Sequence, residues 1–298
     1  MPTDTIILGD MGGTRLRLAR RGTDGDLVDI RKYDPQDWES LQAAIADYAP
    51  DAKGARLFLS FAKKVNAGGL YHLDQAHKKG VWSFTIADVR QSLGLADMHV
   101  LHDMQAMGRA VFHTAPVFNY VAGGNTNEGW RCIINVGTGL GHAFINADLQ
   151  AVHDTFGGHF PPIAVTDEQK VLVDEWQAKF TDRTFVVEEI LSSRGLMSLV
   201  EQKGEADGNR LFCEFLGLYA NTLCVGMDAF GGIYFGGGVM EDLFSDATFN
   251  ADAFMKYFIL DNVPIVNDRL RACPIYRTNL PFTALYGLDV YADSLSDH

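Results

Sequence analysis

Three glycine-rich stretches and one histidine–aspartate pair are where this 298-residue chain could do chemistry. The first stretch is Gly9-Asp10-Met11-Gly12-Gly13-Thr14, the second Gly137-Thr138-Gly139-Leu140-Gly141 and the third Gly236-Gly237-Gly238, with His102-Asp103 between the first two. Where the Cβ is missing, backbone N–H groups can converge on an anion, so each stretch could cradle a phosphate. Thr14 and Thr138 can donate hydroxyls to phosphate oxygens, and Asp10 can hold Mg²⁺ through water. One such stretch alone reads as a tight hairpin turn; three, with two threonines and an aspartate, describe a nucleotide cradle. The pattern GxxxxGK[ST] is absent, which excludes a P-loop. Gly137–Gly141 has a superficial likeness to a dinucleotide fingerprint, but the residues after it alternate as a strand instead of opening a helix.

The elements that must position these residues follow from periodicity. Thr5–Leu8 is an apolar, β-prone run, and Leu16 and Leu18 alternate with Arg15 and Arg17 after the glycines, which gives strand, turn, strand. A third strand covers Leu27–Ile30. Asp34-Pro35 reads as an N-cap with proline at the first helical position, and the spacing predicts a helix over Gln36–Tyr48 with Trp38, Leu41, Ile45 and Tyr48 on one face. The same pattern returns about 125 residues later in Cys132–Ile134, Gly137–Gly141, His142–Asn146 and Gln150–His153, as expected of a duplicated fold with a cleft between its halves. His99–Leu101 reads as a strand ending at His102-Asp103, with a helix from Met104 to Phe112. An acid at the carboxyl end of a strand is where open α/β sheets present functional groups, although helix N-capping is the plainer role for such an Asp. Further helices are predicted at Asp167–Phe180, capped by Thr166, at Val187–Val200 with a break near Ser193-Arg194-Gly195, and at Arg210–Ala229. The boundary between halves is placed near His113–Pro116.

Composition bounds the partners. With 25 basic and 38 acidic residues the net charge is −13, which argues against general affinity for nucleic acid or an anionic membrane. A small anionic ligand must then be held by local dipoles and amides. Cys132, Cys213, Cys224 and Cys273 are too scattered for a zinc cluster and read as reduced core thiols. The opening MPTDTIILGD has no basic segment before an apolar stretch, and no apolar run approaches a membrane span, so the expectation is a soluble, cytoplasmic protein.

Six short motifs occur in the order seen in bacterial glucokinases: Gly9–Thr14, His102-Asp103, Gly137–Gly141, Gly157-Gly158-His159, Glu188-Glu189-Ile190-Leu191-Ser192 and Phe230-Gly231-Gly232. From Ile6 to about Gly287 the chain resembles that ATP-dependent family, within the superfamily of sugar kinases, heat-shock protein 70 and actin. The resemblance implies an α/β, two-domain, actin-like (ribonuclease H-like) ATPase fold with a central cleft. Residues 1–113 plus 281–298 would form the small domain and 114–280 the large one. It implies phosphate loops at Gly9, Asp10, Gly12, Gly13 and Thr14 and at Gly137, Thr138 and Gly139, with Gly236, Gly237 and Gly238 against adenosine. ATP and Mg²⁺ (near Asp10) would be required, Asp103 would be the catalytic base, and a homodimer is the family's usual state. The activity implied is transfer of phosphate to a hexose, glucose first, at its 6-hydroxyl.

The sugar contacts depart from the family in two places. Such enzymes hold the sugar with an Asn-Asp pair, the Glu and His of a GEGGH stretch, and a later Glu. Asp103, His159 and Glu188 match, but His102 replaces the Asn and Phe156 replaces the Glu in Thr155-Phe156-Gly157-Gly158-His159. A carboxylate accepts hydrogen bonds from two hydroxyls and a phenyl ring from none, at roughly 1–3 kcal/mol per unsatisfied group. Two further readings follow: a kinase for a different sugar or sugar derivative, and a non-catalytic sugar or nucleotide sensor.

Overall fold

A computed structural model describes residues 5–12, 15–22, 26–62, 69–73, 82–126, 128–148, 150–260 and 263–295. In chain order the elements are β1 (Ile6–Met11), β2 (Leu16–Arg21), β3 (Leu27–Tyr33), α1 (Leu41–Tyr48), β4 (Arg56–Phe61), β5 (Tyr71–His72), β6 (Ser83–Phe84), α2 (Ile86–Leu93), β7 (Asp97–His102) and α3 (Asp103–Arg109). There follow β8 (Phe118–Gly123), β9 (Arg131–Val136), β10 (Leu140–Asn146), β11 (Ala151–Thr155), α4 (Asp167–Gln177), α5 (Ser193–Lys203) and α6 (Glu205–Met227). The chain ends with β12 (Ile233–Gly236), α7 (Gly238–Ser245), α8 (Ala251–Phe258), α9 (Pro264–Ala272), β13 (Pro274–Thr278) and α10 (Thr283–Ser294).

These elements form two compact units, Met1–Val117 with Leu280–His298, and Phe118–Asn279. The first holds a five-stranded sheet in the order β3-β2-β1-β4-β7, in which β1, β4 and β7 run parallel and β1-β2-β3 is an antiparallel meander. The second holds a six-stranded sheet in the order β11-β10-β9-β12-β13-β8; β9, β12 and β13 are parallel and β9-β10-β11 is the meander. The repeated motif of the sequence is thus a repeated sheet topology, with β8 added antiparallel at one edge.

Burial explains which runs became central. β4, Arg-Leu-Phe-Leu-Ser-Phe, is buried at every position after Arg56, as a parallel strand covered on both faces must be. The core of the first unit gathers Ile7, Met11, Leu18, Leu57, Leu59, Phe61, Trp82 and Val89. In the second unit the long helix α6 is buried from Leu211 to Ala220 and shares one core with Ile134 and Val136 of β9 and Phe235 of β12. All four cysteines are buried thiols. Among the described residues no helix is long and apolar enough to cross a membrane.

Helix α3 is set by its contact with α10. A Cβ on Gly287 would lie 1.6 Å from the carbonyl oxygen of Ala106, so only glycine lets the two backbones approach this closely. Arg21 reinforces α10 from β2, its guanidinium bonding the Asp289 carboxylate and, at 2.7 Å, Asp293.

Three segments divide or start differently from the sequence expectation. Asp34-Pro35 opens only a 3₁₀ turn, Pro35–Asp37; α1 starts at Leu41, where the Ser40 hydroxyl accepts the Ala43 N–H at 3.1 Å. Asp34 caps as expected, by accepting from Gln36 N, but Ser40 is the second cap signal and divides the segment. The Val187–Val200 segment is a 3₁₀ turn, Val187–Glu189, and then α5, which Ser192 caps through Gly195 N. The last of the three helices starts five residues early, at Glu205, and ends at Met227. Thr166 caps α4 in a reciprocal capping box with Gln169.

Candidate functional site

In the first unit the functional candidates sit at the carboxyl ends of neighbouring parallel strands. Asp10 and Met11 end β1, pairing with Ser60 and Phe61 of β4; Phe61 pairs in turn with His102, the last residue of β7. Asp10 is mostly buried, and both its oxygens are engaged: Arg17 Nη1 donates to Oδ2 at 2.7 Å and Ser60 Oγ to Oδ1 at 2.9 Å. Gly9 lies inside β1, where a Cβ would meet Leu59 at 2.8 Å, so its smallness serves packing. Among the described residues a Cβ at Gly12 would meet nothing closer than Arg15 O, at 3.8 Å. Gly13 and Thr14 lie outside the described residues.

Asp103 is the first residue of α3, directly after β7. Its Oδ1 accepts the Met104 N–H at 2.7 Å, and its side chain is 28% exposed. His102 Nδ1 lies 3.3 Å from the same oxygen. The N-cap of α3 is His102, whose side chain makes no capping bond; Asp103 is the first helical residue and bonds the adjacent amide through Oδ1, so it is not the N-cap that the local sequence suggests.

In the second unit the stretch Gly137–Gly139 is the turn between β9 and β10, closed by Gly137 N–H to Gly139 O at 2.9 Å and tied to α5 by Ser193 N–H to Gly137 O at 2.8 Å. Gly137 has open space where a Cβ would stand, whereas at Gly139 that space is taken by Glu188, whose Oε2 would be 2.8 Å away. Thr138 lies between them in the turn. The same Glu188 oxygen accepts the Leu140 N–H at 2.8 Å, so one expected sugar contact braces one expected phosphate loop. Gly236 ends β12, and Gly237 has φ +96° with its would-be Cβ 2.3 Å from Val136 O, which makes glycine obligatory at the turn into α7. Gly238, at the first position of α7, has open space.

Phe156 precedes, and His159 ends, a 3₁₀ turn, Gly157–His159. The Phe156 ring is 64% exposed, with its centroid 6.3 Å from that of His159. Beneath the turn lies His142 of β10, which is fully buried; burial holds its pKa down at about 4, so the imidazole is neutral. Sequence reading missed this histidine, and it missed Arg17 and Ser60 as partners of Asp10. The signal was a polar residue in an otherwise apolar buried strand: Ser60 in Leu-Phe-Leu-Ser-Phe and His142 ahead of Ala-Phe-Ile.

The order of motifs along these elements agrees with one family. The glucokinase family model matches residues 7–210 and 209–295. The chain belongs to the glucokinase family. A glucokinase of Hahella chejuensis is 27% identical over 318 residues, covering 94% of this chain and 94% of that one. The crystal structure of a glucokinase from an Antarctic psychrotroph has a TM-score of 0.79 at 22% identity, over 98% of this chain and 99% of the other. A ROK family glucokinase from Streptomyces griseus, solved in complex with glucose and AMPPNP, has a TM-score of 0.58 at 16% identity over 97% of this chain and 99% of that one. The two α/β units therefore have the actin-like ATPase fold of these glucokinases. As a member of the glucokinase family the chain is an enzyme, a sugar kinase.

Proposed function

We propose that this sugar kinase transfers the γ-phosphate of ATP to the 6-hydroxyl of a hexose, glucose first, with Asp103 as general base. The observation that carries the reading is the half-buried, partly accessible carboxylate of Asp103 at the junction of β7 and α3, in a chain of this family. Phosphoryl transfer needs an aligned hydroxyl and charge stabilisation more than covalent help from the protein. Asp103 orients the hydroxyl and accepts its proton as the oxygen attacks. Glu188 and His159 hold the sugar, and His102 and Phe156 are the two positions at which the expected sugar contacts are altered. The amides around Gly12 and Gly137, where space is open, receive phosphate oxygens, and the turn at Gly236–Gly238 receives adenosine.

Mg²⁺ suits this donor set in one manner. Both Asp10 oxygens have close protein partners, and no group of three or more His, Cys, Asp or Glu side chains that could hold a metal occurs among the described residues. Magnesium keeps several waters and is bound by one or two carboxylates plus substrate phosphates, so Asp10 would hold it through water. When bound, the ion neutralises charge on the phosphates. A homodimer in the cytoplasm completes the proposal.

The exposed Phe156 ring favours a second reading, a kinase for a sugar derivative with an apolar group where glucose has a hydroxyl. Measuring ADP release with Mg·ATP across hexoses, deoxy and N-acylated sugars, amino sugars and sugar acids separates the two. Turnover of glucose, lost in Asp103→Asn, upholds the first; turnover of another sugar alone upholds the second. Binding of ATP and sugar without turnover of any sugar overturns both.

A further inference from the structure

We propose that His142, Thr155 and Tyr219 form a positioning relay that holds the Gly157–His159 turn and thereby sets the affinity for sugar without touching it. The proposal rests on the reading of His159 as a sugar contact. His142 is fully buried in β10, and both its ring nitrogens are engaged: Nδ1 lies 2.7 Å from Tyr219 Oη, and Nε2 lies 2.6 Å from Thr155 Oγ1. Thr155 Oγ1 also accepts the N–H of Gly157, at 3.2 Å. The relay thus runs from the buried face of α6 to the first amide of the turn that carries His159.

Shape and hydrogen bonding act on the same turn. A Cβ on Gly157 would lie 1.9 Å from His142 Cε1, so the imidazole fills the space beneath the turn. A Cβ on Gly158 would lie 2.4 Å from Leu140 O, which seats the turn on the start of β10. On its far side Phe160 N–H donates to Gly157 O at 3.0 Å, and Phe160 O accepts the N–H of Val187, next to Glu188, at 2.8 Å. A core that needed only volume at position 142 would be served by an apolar residue, which leaves no polar group to satisfy. A neutral imidazole instead has one donor and one acceptor nitrogen, which orient the Thr155 hydroxyl and through it the Gly157 amide.

The test uses Thr155→Val, which keeps the shape and loses the hydroxyl, Thr155→Ser, which restores it, and Tyr219→Phe. Two readouts are needed: the exchange rate of the Gly157 amide in the substrate-free protein, and KM and kcat for the sugar with Mg·ATP. In Thr155→Val and Tyr219→Phe the Gly157 amide is expected to exchange about tenfold faster, and KM for the sugar to rise about tenfold with KM for ATP unchanged. Thr155→Ser is expected to lie within about twofold of wild type in both. Unchanged exchange in Thr155→Val overturns the relay. Faster exchange with an unchanged sugar KM overturns its role in affinity. If the wild-type protein turns over no sugar, the functional reading falls, and the Gly157 amide alone upholds or overturns the relay.

Discussion

The carboxylate of Glu188 reaches across 48 residues of sequence to accept the backbone N–H of Leu140 at 2.8 Å. This single bond joins the segment before α5 to the first residue of β10, immediately after the Gly137–Gly139 turn. It gives the residue expected to hold the sugar a second task, that of fixing the edge of the Gly137–Gly139 turn, and the two tasks separate by substitution.

Glu188→Gln keeps a carbonyl oxygen for Leu140 N–H and loses the charge. Its melting temperature should stay within about 2 °C of wild type while KM for the sugar rises about tenfold. Glu188→Ala leaves the Leu140 amide without an acceptor and should cost about 1–3 kcal/mol in urea unfolding. Equal destabilisation by both variants would show that the carboxylate's charge, not its hydrogen bond, braces the loop.

Asp103→Asn retains an oxygen to accept the Met104 N–H, so the start of α3 should survive. An amide cannot take the hydroxyl proton, and kcat should fall by about 10²- to 10⁴-fold with an unaltered melting curve. A kcat within a few-fold of wild type in steady-state assays would remove Asp103 from the role of base.

Gly287→Ala drives a methyl group into the carbonyl oxygen of Ala106, and α10 and α3 must move apart. Overpacking of this kind should cost about 1–3 kcal/mol or more, and kcat should drop too because α3 begins with Asp103. Gly226→Ala is the control: it lies in α6, exposed, with nothing within 4 Å of the added carbon. That change should be neutral or stabilising by up to about 1 kcal/mol. Calorimetry of both proteins gives the comparison.

His142 makes stability depend on pH. Its imidazole titrates near 4 in the fold against 6.5 ordinarily, because burial disfavours the charged form. Between those values the unfolded chain binds a proton that the folded chain does not. The stability tied to the neutral ring is complete above pH 6.5 and is lost as pH falls toward 4, up to about 3 kcal/mol. The urea midpoint should therefore fall between pH 7 and pH 4.5, and fall less in His142→Gln. Equal slopes in the two proteins would show that the ring is protonated without penalty.

Much of this molecule is legible along the chain. The strand–turn–strand repeats, the Thr166 cap and the acid at the end of β7 rest on side-chain periodicity and on sterics between near neighbours, which act within a few residues. So does the likeness to a family, which reads short motifs in order. The start of α1 failed because two cap signals, Asp34 and Ser40, compete over six residues and only packing chooses between them. The partners of the functional groups were beyond sequence altogether. Ser60 reaches Asp10 across 50 residues, Glu188 reaches Leu140 across 48 and Tyr219 reaches His142 across 77. Which glycines have open space beside them and which are filled by a neighbour, as Gly139 is by Glu188, follows from the same stacking. A sequence states which groups can bond; strand order and helix packing decide which of them come within 3 Å.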